Sequence, residues 1–163
     1  MRIREATDDD WARIWPFLRE IVAAGETFTW PDDVPEERAR EMWMATPPAR
    51  TVVAVDGDTV LGTAKMGANH MGPAAHISTA SFMVHPDHGG RGVGRALGTH
   101  VLAQARADGF RAMQFNAVVS TNTRAVTLWQ SLGFEILATL PEGFRHPTKG
   151  YVGLHIMFQQ FRL

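Results

Sequence analysis

The chain has 163 residues, 45% of them hydrophobic and 20% charged, with a net charge of −1 and no cysteine. That length favours one domain over residues 1–163 with a normal core, and the charge balance gives no electrostatic case for nucleic acid or an anionic membrane surface. The missing cysteines exclude disulfides, thiol nucleophiles and thiolate zinc sites; with no readable leader and no apolar run of about 18 residues, they fit a cytoplasmic protein.

"RIREAT" alternates and predicts a first strand. Thr7 or Asp8 can cap a helix in which Trp11, Ile14, Trp15, Leu18, Ile21 and Val22 recur at helical spacing, and Pro16 predicts a kink or a break there. "GETFTWPDDVP" is a loop. "PEERAREMWMA" reads as a second helix with Pro35 suited to its first turn, ended by the prolines of "TPPAR". "RTVVAVDGDTVLGTAKMGA" is a hairpin around Asp56-Gly57-Asp58, "NHMGPAA" a loop and "HISTASFMVHP" a strand. A helix is predicted from Arg91 to Asp108, stopped by Gly109. "FRAMQFNAVV" is a strand, and "TNTRAVTLWQSLGF" a helix between Thr121 or Asn122 and Gly133. "FEILATL" is a strand, "PEGFRHPTKG" a loop and "YVGLHIMFQQF" a last strand. The order β-α-α-β-β-β-α-β-α-β-β implies an α/β fold with a mixed sheet, antiparallel in its first half and partly parallel in its second.

"HPDHGGRGVGRAL" packs four glycines between a strand and a helix. It satisfies neither the P-loop pattern nor the dinucleotide fingerprint. The free amides of a first helical turn, with the helix dipole, still form an anion site that glycines let a bulky group reach. Arg91 and Arg95 add positive charge, and a pyrophosphate is the natural guest. The plainer alternative is a turn that needs glycine for its φ angles, with Gly94 and Gly98 allowing close helix–sheet packing. His85, Asp87 and His88 fall in one tight turn with no fourth ligand, so a plain loop is expected rather than a metal site.

"VHPDHGGRGVGRAL" resembles motif A of the GCN5-related N-acetyltransferases, Gln/Arg-x-x-Gly-x-Gly/Ala. Gly92 and Gly94 match it, Arg91 stands where a basic residue is common, and Gly89 replaces the usual polar Gln or Arg. Further on, "NTRAVTLWQSLGF" resembles the second signature of that family through Asn122, Ala125, Leu128, Gly133 and Phe134. The element order is the family's as well. The resemblance implies a mixed six- to seven-stranded sheet flanked by about four helices, with acetyl-CoA as co-substrate and no metal.

It further implies a pantetheine arm along the main chain of Phe82, Met83 and Val84, and a pyrophosphate on the amides of Gly89, Gly90, Arg91, Gly92, Val93, Gly94 and Arg95. Asn122 is expected to face the pantetheine or the acceptor, and the N–H of Met83 or Val84 to hold the oxyanion. Trp129 stands beside the cofactor where the family often has a tyrosine acid, and indole cannot donate a proton in that role. Ser78 aligns with a glutamate base of some members; His76, on the same strand face, is the candidate base here, ahead of Glu26, His146 and His155. "GETFTWPDD", with Glu26 and Phe28, resembles the acceptor loop of phosphinothricin and methionine-sulfoximine acetyltransferases. "FNAVVSTN" resembles a stretch of fungal proline-analogue acetyltransferases in which Asn116 and Asn122 lie near the acceptor. Arg145 or Lys149 could pair with an acceptor carboxylate. The expected reaction is direct acetyl transfer to a small amino-acid-like amine. The alternative is a catalytically weak acyl-CoA-binding sensor or scaffold, for which Trp129 and Ser78 are the support. A homodimer through the exposed edge of the last strand is the expected assembly.

Overall fold

A computed structural model of the chain describes residues 1–162. Its centre is a mixed seven-stranded sheet built from β1 (Arg2–Glu5), β2 (Arg50–Asp56), β3 (Thr59–Ala68), β4 (Ile77–Val84), β5 (Ala112–Val119), β6 (Glu135–His146) and β7 (Gly150–Gln160). The spatial order is β1-β2-β3-β4-β5-β7-β6, and only the β4–β5 pair is parallel. Helices α1 (Trp11–Ala24) and α2 (Glu36–Trp43) cover one face; α3 (Val93–Ala107) and α4 (Thr123–Ser131) cover the other. Each face has its own buried cluster, one around Ile14, Phe17 and Trp43, the other around Leu97, Met113 and Met157. None of these helices is long and apolar enough to cross a membrane.

The predicted element order holds, with four corrections. Helix α1 runs through Pro16 unbroken. The proline is exposed, so the carbonyl it leaves unpaired sits on the solvent side, while Ile14, Phe17 and Leu18 hold the opposite face in the core. Helix α3 begins at Val93, because Gly92 adopts φ 76°, a left-handed conformation no helix can continue through. The predicted loop "PEGFRHPTKG" is mostly strand. β6 passes through an irregularity between Leu140 and Phe144, where Glu142 takes φ 55°, and pairs with β7 again from Phe144 to His146. Finally, β7 lies between β5 and β6, so the free edge belongs to β6 and not to the last strand.

Candidate active site

The sheet opens between its two parallel strands. β4 and β5 pair only at Ile77–Ala112 and Ser78–Met113 and then diverge, while β5 bulges between Phe115 and Val118. Register shows which β4 groups this frees. The N–H of His85 donates to the Leu61 carbonyl at 2.8 Å, and that of Asn69 to Ile77 at 2.8 Å. In an antiparallel ladder the bonded pairs alternate, so the odd-numbered residues of β4 bond to β3. The N–H and C=O groups of Ala80, Phe82 and Val84 therefore point into the split.

A cleft of about 760 Å³ fills that split. At one end stand the glycine loop and the first turn of α3; at the other, Phe28 and Trp30 from the loop after α1; Asn116 and Asn122 lie along the β5–α4 side. The N-termini of α3 and α4 both line it, so two sets of unpaired amides and two positive dipole ends converge there. A Cβ built at Gly90 or Gly92 would meet no atom within 4 Å, which leaves the loop amides open to a large anion.

Asn122 caps α4: its Oδ1 accepts the Ala125 N–H at 3.4 Å, leaving the side-chain NH₂ unused. Trp129 is buried and packs tilted against Phe82 at 4.6 Å and edge to face against Phe115 at 4.9 Å between ring centroids, so the indole forms an apolar wall. Arg95 donates to Ser131 Oγ at 2.9 Å, tying the first turn of α3 to α4.

The model of the acetyltransferase (GNAT) family matches residues 15–134. This chain belongs to that family. The chain is 31% identical over 116 residues to N-acetyltransferase aca1 of Schizosaccharomyces pombe, which covers 70% of the chain but only 56% of that relative, little more than half its length. It is 31% identical over 149 residues to L-amino acid N-acyltransferase MnaT of Escherichia coli, covering 87% of the chain and 84% of the relative. Among solved structures, a GCN5-related N-acetyltransferase from Kribbella flavida is 55% identical with a TM-score of 0.95, covering 98% of this chain and 97% of that one. The putative acetyltransferase yncA from Salmonella typhimurium, solved with its cofactor acetyl-CoA, is 26% identical with a TM-score of 0.84, covering 100% of this chain and 95% of that one.

Acetyl-CoA is the co-substrate of this family, and the residues of this chain fit it. The free main chain of Phe82 and Val84 can pair with an amide-bearing arm, and the open amides of the glycine loop can take a pyrophosphate. No group of three or more potential metal ligands occurs among the described residues.

Gly89, Gly90, Gly92, Val93, Gly94, Arg95, Phe82, Val84, Asn122, Trp129, Phe28 and Asn116 all line the cleft. Other expected residues stand differently from the expectation. Met83 lines the cleft, but its N–H belongs to the β3 ladder, so Phe82 and Val84 are the free donors and Met83 is not. Arg91 turns outward to His88 Nδ1 at 3.0 Å and Asp56 at 3.4 Å. His76 is exposed just before β4, at the end of the strand where β4 and β5 are still paired, and Ser78 is buried with its hydroxyl donating to the Ala112 carbonyl at 2.8 Å. Neither lines the cleft. Glu26 is exposed outside it. Arg145 stands opposite Tyr151 in the β6–β7 hairpin, away from the cleft; Lys149 is in the hairpin turn. His146 Nδ1 accepts the N–H groups of Thr148 and Lys149, both at 3.2 Å, and so closes that turn. His155 pairs with Thr139 at 2.7 Å.

The sequence reading missed Arg124, which lines the cleft in the first turn of α4. Its signal was positional: two residues after a capping asparagine, a side chain stands at the helix mouth.

Proposed function

We propose that this enzyme moves an acetyl group from acetyl-CoA directly to the amine of a small amino-acid-like acceptor. The observation that carries the reading is the shape of the cleft: a glycine-loop end suited to phosphates, free β4 amides in the middle, and a compact aromatic end at Phe28 and Trp30. That MnaT is named an L-amino acid N-acyltransferase supports the same acceptor class. The N–H of Phe82 or Val84 holds the developing oxyanion as the amine attacks the thioester carbonyl. The thiolate, with a thiol pKa of about 8.5, leaves without a dedicated acid, consistent with Trp129 as a wall.

No Asp, Glu, Lys or Tyr lines the cleft among the described residues. Its one histidine, His85, already accepts the Asp87 N–H on Nδ1 at 3.1 Å. The acceptor therefore reacts as the neutral amine and loses its proton to water. Arg124 serves the cofactor phosphates. It shares a face of α4 with Leu128 and Ser131, which meet Gly94 and Arg95 of α3. A homodimer through the β6 edge, where Leu137 and Leu140 are about half exposed, completes the reading.

The test follows free-thiol release from acetyl-CoA with a panel of amino acids, L-methionine sulfoximine, proline analogues and polyamines. Turnover is expected with amino-acid-like acceptors and not with polyamines, for which the cleft offers no carboxylate. Cofactor binding by calorimetry with no turnover on any amino acid overturns the acceptor assignment.

A further inference from the structure

Lys65 is a charged side chain held among aromatic rings. It lies on β3 directly opposite Ser81, which lines the cleft. Its Nζ donates to the Met42 carbonyl at 2.6 Å and stands 5.7 Å from the ring centroids of both Trp30 and Trp43. No carboxylate pairs with it among the described residues. Burial holds its ammonium below the usual lysine range. Even a half-buried cation without a counter-ion loses hydration, and its compensation here is one carbonyl and two indole rings.

The two rings differ in what fixes them. Trp43 is fully buried, its Nε1 donates to Thr63 Oγ1 at 3.0 Å, and that hydroxyl donates to the Val52 carbonyl at 2.8 Å. Trp30 lies in a segment without regular structure. Residues 26–30 make no hydrogen bond among the described residues: the flanking main-chain bonds are Gly25 to Val22 and Val34 to Pro31. What holds the segment is side-chain packing. Phe28, Trp30 and Trp43 meet edge to face at 6.1 to 6.3 Å, with Lys65 bridging the two indoles.

We infer that Lys65 is a positioning residue of the acceptor half: its ammonium clamps Trp30 to the fixed Trp43 and so sets how far the Phe28–Trp30 wall stands from Ser81. The role rests on the reading of that half as the acceptor site. It concerns the geometry of the wall and no proton transfer, because Lys65 itself does not line the cleft.

Lys65→Met keeps all but the last atom of the side chain and removes its charge. Side-chain exposure of Phe28 and Trp30 is read by hydroxyl-radical labelling, with Trp129 as the reference. With acetyl-CoA and L-methionine sulfoximine as probes, free-thiol release gives the separate KM values. Expected for Lys65→Met is an unchanged or higher Tm, because a half-buried charge without a counter-ion is gone. Labelling of Phe28 and Trp30 is expected to rise about threefold with Trp129 unchanged, and the acceptor KM to rise about fivefold while kcat and the acetyl-CoA KM stay within about twofold. Lys65→Arg, which keeps a cation over the indoles, should restore most of both effects. Unchanged labelling of Phe28 and Trp30, or an equal rise at Trp129, overturns the role, as does an acetyl-CoA KM that rises with the acceptor KM. Should Lys65→Met fail to fold, Lys65→Gln, which keeps an amide donor without the charge, reads the same labelling. An unaltered chain that binds acetyl-CoA but does not acetylate L-methionine sulfoximine counts against that acceptor, while the labelling result still decides Lys65.

Discussion

Gly89 has room for the side chain it lacks. A Cβ there would meet only the Pro86 carbonyl, at 3.8 Å, and its φ of −65° suits any residue. The polar residue common at this place in the family is therefore missing without a steric reason. Gly89→Gln should tighten acetyl-CoA binding about two- to fivefold by adding a donor at the phosphate end, and raise stability by about 0.5 kcal/mol through the unfolded chain. Calorimetric titration and thermal unfolding read the two effects; weaker binding would mean that the loop needs a bare backbone at this position.

Asn122 caps α4 through Oδ1, and its unused NH₂ belongs to a residue that lines the cleft. Asn122→Ala should lower activity at least about tenfold and cost about 1 kcal/mol of stability. Asn122→Ser keeps a cap and should recover the stability but not the rate. Recovery of both would reduce Asn122 to a helix cap.

Asp10 sets a pH limit. Its nearly buried carboxylate accepts two hydrogen bonds from Arg4, at 2.7 and 2.9 Å, and one from the Thr7 N–H at 2.7 Å. Hydrogen bonding to Arg4, chiefly, pulls its pKa down to about 2. A carboxylate depressed in the folded state adds stability that is complete above the unfolded value near 4 and fades as pH falls through 2. The contribution is about 2 kcal/mol. Urea unfolding of Asp10→Asn should show lower stability than the unaltered chain at pH 6, with the gap closing toward pH 2.

At the scale of elements, α3 and α4 touch through a glycine. A Cβ at Gly98 would stand 2.9 Å from both Trp129 and Leu132, so the closeness expected between helix and sheet is in fact between two helices. Gly98→Ala must push α4 outward and carry Asn122 with it. It should cost about 1–3 kcal/mol and weaken acetyl-CoA binding in parallel, read by thermal unfolding and calorimetry on the same variant. Helix periodicity predicted both elements; their separation depends on which residue of each faces the other, which periodicity alone does not encode. The β6 misreading has a similar origin. Pro141 and Gly143 are turn formers by local chemistry, yet the pairing of β7 with Phe144, Arg145 and His146 resumes the ladder beyond them.

For the whole molecule, the placement of β7 between β5 and β6 moves the free edge of the sheet. β6 presents Leu137 at 54% and Leu140 at 48% exposure along that edge, more apolar surface than an isolated edge strand usually shows. Sedimentation velocity should show a dimer, and Leu137→Glu a monomer that retains its fold. A monomeric unaltered chain would leave the edge without that partner.

The order of strands and helices, the mixed sheet and the family are legible in the sequence alone, because strand and helix periods, turn residues and short motifs act within a few residues of chain. The tertiary structure decided what stands at the cleft. The divergence of β4 from β5 after Ser78, together with the β3 register, gives the free amides to Phe82 and Val84 and denies one to Met83. Arg91 is turned to Asp56, Arg145 stays in the hairpin, Arg124 lines the helix mouth, and Lys65 is flanked by tryptophans from two other segments. Except for Arg145, whose partner Tyr151 stands across a short hairpin, these outcomes depend on residues 20 or more away along the chain, and such pairings exist only once the sheet has closed its register.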